Sequence, residues 1–534
     1  MKFRIFVGLA SLFFASTYGI EGVLFRDYNQ DEFQVATGYL KDRDPTLFQN
    51  DFIWSKPEMI SNLHVCVRTA MDVTNYLTCG LFKEPIDLFL FWLPICIVLF
   101  FVGNYLLCLK FTSSRWASLL VTCSLMIVRR TIWDWWGLGP MFTMSARGLV
   151  LTFLPLGLWA YFQYQDRLGR LACCFLIWGC ISNLHPLSGW GFVEFLGITI
   201  LICERFRFRA WIKVAVIGIT TLIGSIPFLV VWNKVVIVPE GLQADPMVIK
   251  HFWKDFTGLT PPSPALTLGF LEDIAIPLLL AIAGFWVWRQ LKRPGDTGSM
   301  KILSHFPFVV ISMTILVMVT GYLLQYLEIA LPIMVPEHSR NIKLIYLTIP
   351  VWMAFAFVGW FRKYTAHPGY LKFGIPILVV FVSIVINLPG HKLARRVLHL
   401  SGWLPNASQE RLKNALREDH ADLEVALWAR ANTSRDALFY FDSYEFRYYA
   451  QRSLVFCWFD RPCVAYRPTK ELEEWIQRRE RLTPIKKAGN SEAMLAAAGD
   501  YHANYLVLLN SWKPLKENPV WSNWKYSVYQ VRDF

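Results

Sequence analysis

The sequence predicts a mainly α, multipass transmembrane domain of about eleven spans with its N-terminus inside, followed by a small extracytoplasmic α/β domain. Three observations predict it. The 534 residues are 54% hydrophobic and only 17% charged, with a mean hydropathy of +0.35, which excludes an ordinary water-soluble protein and a disordered chain. Charge is about twice as dense in residues 393–534 as in 1–392, which separates a membrane domain (1–392) from a soluble one (393–534). Apolar runs near the ~20 residues that a bilayer requires recur along the first domain and stop near residue 388.

Those runs lie at about 5–21, 86–109, 115–128, 148–164, 169–184, 187–203, 211–232, 266–288, 303–327, 341–361 and 371–388. The connections assigned to the inside are short and cationic, with Arg167 and Arg170, then Arg205, Arg207, Arg209 and Lys213, then Arg289, Lys292 and Arg293. That bias sets the orientation, and an odd number of spans carries the C-terminal domain to the outside. The first run also reads as a signal peptide, because Lys2 and Arg4 precede a short apolar stretch; the first loop is outside on either reading. A net charge of +13 raises the question of nucleic acid. No Lys/Arg block of five or six occurs, so the cations read as topology signals and no nucleic-acid partner is expected.

Cysteine usage adds little. Seven of the eleven lie in or beside spans as small packing residues. Cys66 with Cys79, and Cys457 with Cys463, lie in outer segments where disulfides are permitted, and their pairing stays open.

Chemistry concentrates in the first outer loop, 21–87, which is rich in acids. Asp31 and Glu32 precede Phe33, Val35, Ala36, Tyr39 and Leu40, which reads as a short interfacial helix with acids in its first turn. Asp44–Asp51 then forms a tight, turn-rich segment ending in a carboxylate. A carboxylate beside an apolar surface serves as a general base or as a divalent-metal ligand, and equally caps a helix or is simply solvated. Asp31, Glu32 and Asp51 are therefore candidates.

The second outer loop supplies Asp134 within a tryptophan-rich stretch, and Arg147 where the next helix enters the membrane; Arg147 pairs with an acid or phosphate, or snorkels to the interface. Asn183, Leu184, His185 and Pro186 interrupt an apolar hairpin, which places His185 at a membrane edge. Glu194, within a span, is expected to face inward. The loop at 233–265 is long enough for a lid or re-entrant element. Glu337, His338 and Arg340 place an acid, an imidazole and a cation at two outer helix ends, or merely form a polar cap.

The tail opens with an amphipathic helix, Glu410 to Arg430. Strand-like runs follow at Ala437–Phe441, Ser453–Phe456, Tyr505–Leu509 and Tyr526–Val531, with helices at about 470–481 and 491–499. It holds no glycine-rich phosphate loop and no nucleophile elbow.

This layout resembles the C-type (GT-C fold) glycosyltransferases that use polyprenyl-phosphate-linked sugars. It is closest to an uncharacterised bacterial multipass group of that type, which carries an Asp-Pro-x-Leu-Phe-x-x-Asp segment (Asp44 to Asp51) and an Arg opening a middle span (Arg147). The same group has an Asn-x-His-Pro hairpin (Asn183 to Pro186) and a tail reading Trp-x-x-x-Asn-Thr … Asp-Ala-Leu-Phe (Trp428 to Phe439). The resemblance implies a bacterial inner-membrane enzyme that moves a sugar from a polyprenyl-phosphate donor to an acceptor at the outer face, with inversion and sometimes a divalent metal such as Mg or Mn. Asp31 matches the first-loop acid serving as base or metal ligand, with Glu32 as its neighbour. Asp51, Asp134 and Arg147 match a second acid, a second-loop acid and a phosphate-pairing cation. The sequence departs from the best-known members in having no adjacent Asp-Asp pair in the first loop. Two other readings stand beside it: a non-catalytic protein of the same architecture that binds lipid or a partner, and a transporter, which the scarcity of mid-membrane polar residues disfavours.

Overall fold

A computed structural model describes residues 2–25, 28, 30–56, 65–82, 84–127, 146–236, 241–249, 252, 282, 286, 289, 298–326, 344–345, 347–363, 420–466 and 469–531. The protein is mainly helical. In chain order the helices are α1 (Lys2–Phe25), α2 (Gln30–Arg43), α3 (Val65–Leu77), α4 (Leu88–Thr112), α5 (Arg115–Ile127), α6 (Ala146–Tyr164), α7 (Leu168–Ser182), α8 (Pro186–Cys203), α9 (Phe208–Gly224), α10 (Ile226–Val236), α11 (Ser299–Tyr326) and α12 (Ile349–Lys363). The tail adds α13 (Phe446–Ala450), α14 (Arg461–Tyr466), α15 (Lys470–Ala488) and α16 (Ser491–Asp500). Its strands are β1 (Leu438–Tyr440), β2 (Ser453–Leu454), β3 (Tyr505–Leu509), β4 (Trp521–Ser522) and β5 (Tyr526–Gln530).

Contacts divide the chain into two compact units: Met1–Asp27, Asp87–Leu229 and Thr257–Val397 form one, and Tyr28–Ile86, Val230–Phe256 and Leu398–Phe534 the other. The acidic first loop and residues 230–256 thus cluster with the tail instead of with the apolar helices.

The first unit is a membrane bundle. Among the described residues four helical stretches are long and apolar enough to cross a bilayer, Phe3–Ile20, Pro85–Thr112, Pro186–Cys203 and Ser299–Val317. A fifth crossing results if Phe208–Gly224 and Ile226–Trp232, bent by 64°, count as one span. Helices occupy nine of the eleven apolar runs, while the runs at 266–288 and 371–388 lie outside the described residues apart from isolated positions. The run at 211–232 is not one straight helix. Pro227 has no N–H to offer the carbonyl of Ile223, so the helix ends and restarts with Pro227 in its first turn.

Packing here rests on small residues and aromatic rings. A Cβ on Gly179 would lie 2.2 Å from the Thr221 carbonyl oxygen, and one on Gly224 2.3 Å from that of Leu176, so α7 and α9 meet backbone to backbone. Around this contact Tyr161, Phe175, Trp178, Phe192, Phe195, Phe306 and Trp352 fill a continuous core. Glu194 is exposed on α8, contrary to the inward orientation expected; the buried face of that helix is made by Phe192, Phe195, Leu196 and Thr199.

The second unit carries a five-stranded sheet in the order β2-β1-β3-β5-β4. β1 runs parallel to β2 and β3, and β5 lies antiparallel between β3 and β4. The four expected strands are present, and β4, two residues long, is additional. Phe439, Phe441, Phe446, Leu454, Val507 and Val528 form the core with the helical stretch at 420–432. Only part of the amphipathic segment at 410–430 falls among the described residues. All eleven cysteines are free thiols, including Cys66, Cys79, Cys457 and Cys463.

Candidate functional site

The first loop enters the second unit as α2, with Asp31 and Glu32 in its first turn as the sequence predicts. Carboxylates there complement the free N–H groups and positive dipole end of the helix. Phe33 fixes the helix by inserting its ring among Tyr28, Tyr444, Tyr448 and Tyr449, with centroid separations of 5.5 to 5.9 Å. Glu32 is 1% exposed, whereas Asp31 is half-buried. Adjacent helical positions diverge by about 100°, so the two carboxylates do not share one ligand position.

The Asp44–Asp51 segment is a docking turn. Asp44 Oδ1 accepts the Thr46 N–H at 3.1 Å and the Thr46 hydroxyl at 2.6 Å, which folds the chain sharply after α2. Hydrogen bonding to Thr46, opposed by some desolvation and reinforced by the Arg435 guanidinium, holds the Asp44 carboxyl below the usual carboxylate range. Phe48 takes a left-handed backbone, φ 59°, which costs about 1 kcal/mol for a non-glycine residue. Full burial of its ring offsets that cost. Asp44 pairs with Arg435, and Asn50 Nδ2 donates to the Asp436 carbonyl at 2.8 Å. The two sequence motifs, Asp44 to Asp51 and Trp428 to Phe439, therefore form a single joint.

Asp51 lies at the centre of that joint, its side chain fully enclosed. Arg447 Nε donates to Asp51 Oδ2 at 2.7 Å and Nη2 to Oδ1 at 3.1 Å. The opposite edge of the same guanidinium donates to Asp460 at 2.6 and 2.8 Å. Backbone N–H groups of Ile53, Trp54 and Leu454 complete the shell of Asp51 at 3.0, 2.9 and 2.7 Å. Two buried carboxylates thus share one cation. Asp51 accepts from five donors, and burial raises the Asp460 carboxyl to about 6 despite the opposing pull of Arg447. Burial opposes the Arg447 charge, yet the Asp460 and Asp51 carboxylates outweigh it and hold the guanidinium well above its usual range. Beside the triad, burial pushes the Cys457 and Cys463 thiols up, and Gln34 Nε2 donates to Cys463 Sγ at 2.6 Å.

In the helical unit, Arg147 is the second residue of α6 and is half-buried. His185 caps α8, its Nδ1 accepting the Ser188 N–H at 3.3 Å, which requires that nitrogen to be unprotonated. Asn183 does more than the sequence suggests. Its Nδ2 donates to the Gly224 carbonyl at 2.8 Å and its Oδ1 accepts the Phe228 N–H at 2.8 Å, so it bridges the break between α9 and α10. Trp190 Nε1 donates to the Ser225 hydroxyl at 3.0 Å, and that hydroxyl donates to the Gly179 carbonyl at 3.2 Å.

The second unit holds Asp31, Glu32 and Asp51, while Arg147 and His185 belong to the helical unit. Asp134, Glu337, His338 and Arg340 lie outside the described residues. Among the described residues no three His, Cys, Asp or Glu side chains are grouped to hold a metal ion. The Asp31 and Glu32 pair does not fit one either, since the two carboxylates diverge and differ in exposure. Arg447 and Asp460 had no place among the sequence candidates. The available signal was a single cation inside the aromatic run Phe446–Ala450, where a buried charge demands acid partners.

Residues 420–482, which include Arg447, Asp460 and most of α15, match a domain of unknown function, DUF6798. Among solved structures, the chain is similar to the oligosaccharyltransferase of Archaeoglobus fulgidus, crystallised in complex with Zn and sulfate. The TM-score is 0.45 at 10% identity, over 93% of this chain and 68% of that one. Comparison with curated proteins finds no match.

Proposed function

We propose that this chain is a membrane glycosyltransferase that moves a sugar from a polyprenyl-phosphate donor to an acceptor at the outer face of a bacterial inner membrane. The observation that carries the reading is the presentation of Asp31: a half-buried carboxylate on the first turn of a helix locked by Phe33, next to a buried acid. General-base catalysis needs a carboxylate held in one position, and the fixed helix supports that reading. In the reaction the Asp31 carboxylate takes the acceptor hydroxyl proton, and the acceptor oxygen bonds to the anomeric carbon with inversion. The bond from that carbon to the donor phosphate oxygen breaks, and the polyprenyl phosphate leaves with the electron pair. The departing phosphate requires a cation to stabilise its charge. Asp51 joins the first loop to the tail through Arg447.

The test is turnover of radiolabelled polyprenyl-phosphate hexoses by membranes containing the full chain. Asp31→Asn is expected to lower the rate about 10²- to 10⁴-fold at unchanged protein level. Wild-type turnover by Asp31→Asn overturns the assignment of the base.

One observation favours a second reading, a non-catalytic protein of the same architecture. The first-loop acids Asp42, Asp44, Asp51, Asp72 and Glu84 are paired with Arg68, Arg435, Arg447, Arg43 and Tyr448, which is structural use of charge. Absence of turnover with every hexose donor, together with retained binding of polyprenyl phosphate, supports that reading.

A further inference from the structure

An open pocket of ≈ 540 Å³ lies on the second unit between the 3-10 turn Trp458–Asp460 and α15, lined by Trp458, Arg479, Glu480, Thr483, Pro484 and Lys487. None of these residues belongs to the transferase site proposed above. From this pocket we infer a binding site for an anionic saccharide, a sugar ring bearing a carboxylate or phosphate.

The platform is Trp458. Its indole is 37% exposed, a large apolar ring presented to solvent, and it is held from beneath by the buried Trp475 at a centroid distance of 5.7 Å. The guanidinium groups of Arg461 and Arg479 lie 5.9 Å from its centroid. The two walls are joined through Asp442. Its Oδ1 accepts the Trp458 N–H at 3.0 Å, while its Oδ2 accepts Lys486 Nζ at 2.6 Å from α15. The platform and the helix are thus fixed with respect to each other before any ligand arrives, which lowers the entropic cost of binding.

Pro484 sets the polar rim. It sits inside α15 and supplies no N–H to the carbonyl of Glu480, one turn earlier. The rim then offers the Glu480 carboxylate as acceptor, the Thr483 hydroxyl as donor and acceptor, and Lys487 as a cation. An indole face against the apolar face of a sugar ring, acceptors for ring hydroxyls and a cation for an acidic substituent make one consistent recognition set. The Glu480 carboxylate accepts hydrogen bonds from hydroxyls, of which a sugar ring presents several at a time.

Calorimetry on the full chain in neutral detergent, with trigalacturonate, maltotriose and glycerophosphoglycerol as probes, tests the site. The expected result is saturable binding of trigalacturonate, with maltotriose at least about tenfold weaker. Trp458→Ala and Lys487→Glu each weaken trigalacturonate binding about tenfold, whereas Trp524→Ala, at an exposed tryptophan elsewhere on the same unit, has no effect. Lys487 is exposed, so its variant keeps the test valid if Trp458→Ala unfolds the turn. Absence of trigalacturonate binding overturns the proposal, as does binding unchanged in Lys487→Glu. Binding of glycerophosphoglycerol alone, lost in the same variants, overturns it in favour of a lipid headgroup.

Discussion

The two units hold their elements together by opposite means. In the helical unit, α7 and α9 touch through Gly179 and Gly224, and the polar contacts run from side chain to backbone, as from Asn183 to Gly224 and Phe228. In the second unit the first loop is joined to the tail by formal charge, through Asp44 with Arg435 and Asp51 with Arg447 and Asp460. The difference follows from the surroundings. Lipid gives apolar side chains no reason to associate, so close backbone approach and small residues provide the contact. In the second unit a charge-assisted joint is stable once every lone pair is satisfied, and it specifies one register.

That contrast is broken most severely at Arg447. Arg447→Leu leaves Asp51 and Asp460 buried without a cation and is expected to cost about 3–5 kcal/mol, read as a lowered denaturation midpoint and as protease sensitivity of the second unit. Retained stability would show that the triad is not the joint.

The next effect is on pH. The folded state holds the Asp460 proton more tightly than the unfolded one, because the carboxyl rises from 3.8 to about 6. The stabilisation from this group is therefore present at low pH and is lost as pH rises through about 6. Between pH 7.5 and 4.5 the wild type is expected to gain on the order of 2 kcal/mol relative to Asp460→Asn, compared by denaturant titration at each pH. Equal pH slopes for the two proteins would mean that Asp460 is ionised throughout.

On the membrane side, Gly224→Ala drives a methyl group toward the Leu176 carbonyl and is expected to cost about 1–3 kcal/mol by separating α7 from α9. A lowered midpoint in detergent checks it, with Gly218→Ala, which meets open space, as the control. The smallest effect is chemical and not energetic. Cys79 is exposed while Cys457 and Cys463 are buried thiols with raised pKa. A membrane-impermeant maleimide applied to intact cells should label Cys79 and spare the other two until the protein is denatured, if the second unit faces outward.

Much of this was legible in the chain. Apolar run length located the helices, because a span must satisfy its own backbone in lipid, and short apolar and aromatic runs located β1, β2, β3 and β5. Acids in the first turn of α2 were visible for the same local reason. The joint was not. Asp51 and Arg447 stand 396 residues apart, and no periodicity reports a partner at that distance. The break at Ser225 was hidden because Ile226 to Trp232 continues the apolar composition unchanged, and only Pro227 marks it. β4, with two residues, is too short to show alternation. Asn183 looked like a hairpin residue, and its part in closing the break depends on a helix 41 residues further on.

The joint between Asp51 and the tail also orders events during synthesis. The first loop leaves the ribosome early, but the arginine that neutralises Asp51 and the strand whose Leu454 N–H it accepts are made roughly 400 residues later. At ~5–20 residues per second the loop waits for some tens of seconds with its aromatic residues uncovered. The fold of the second unit is closed by its last-made part, so a nascent chain halted before residue 447 presents Phe33, Phe48 and Trp54 to whatever chaperone or protease attends its membrane insertion.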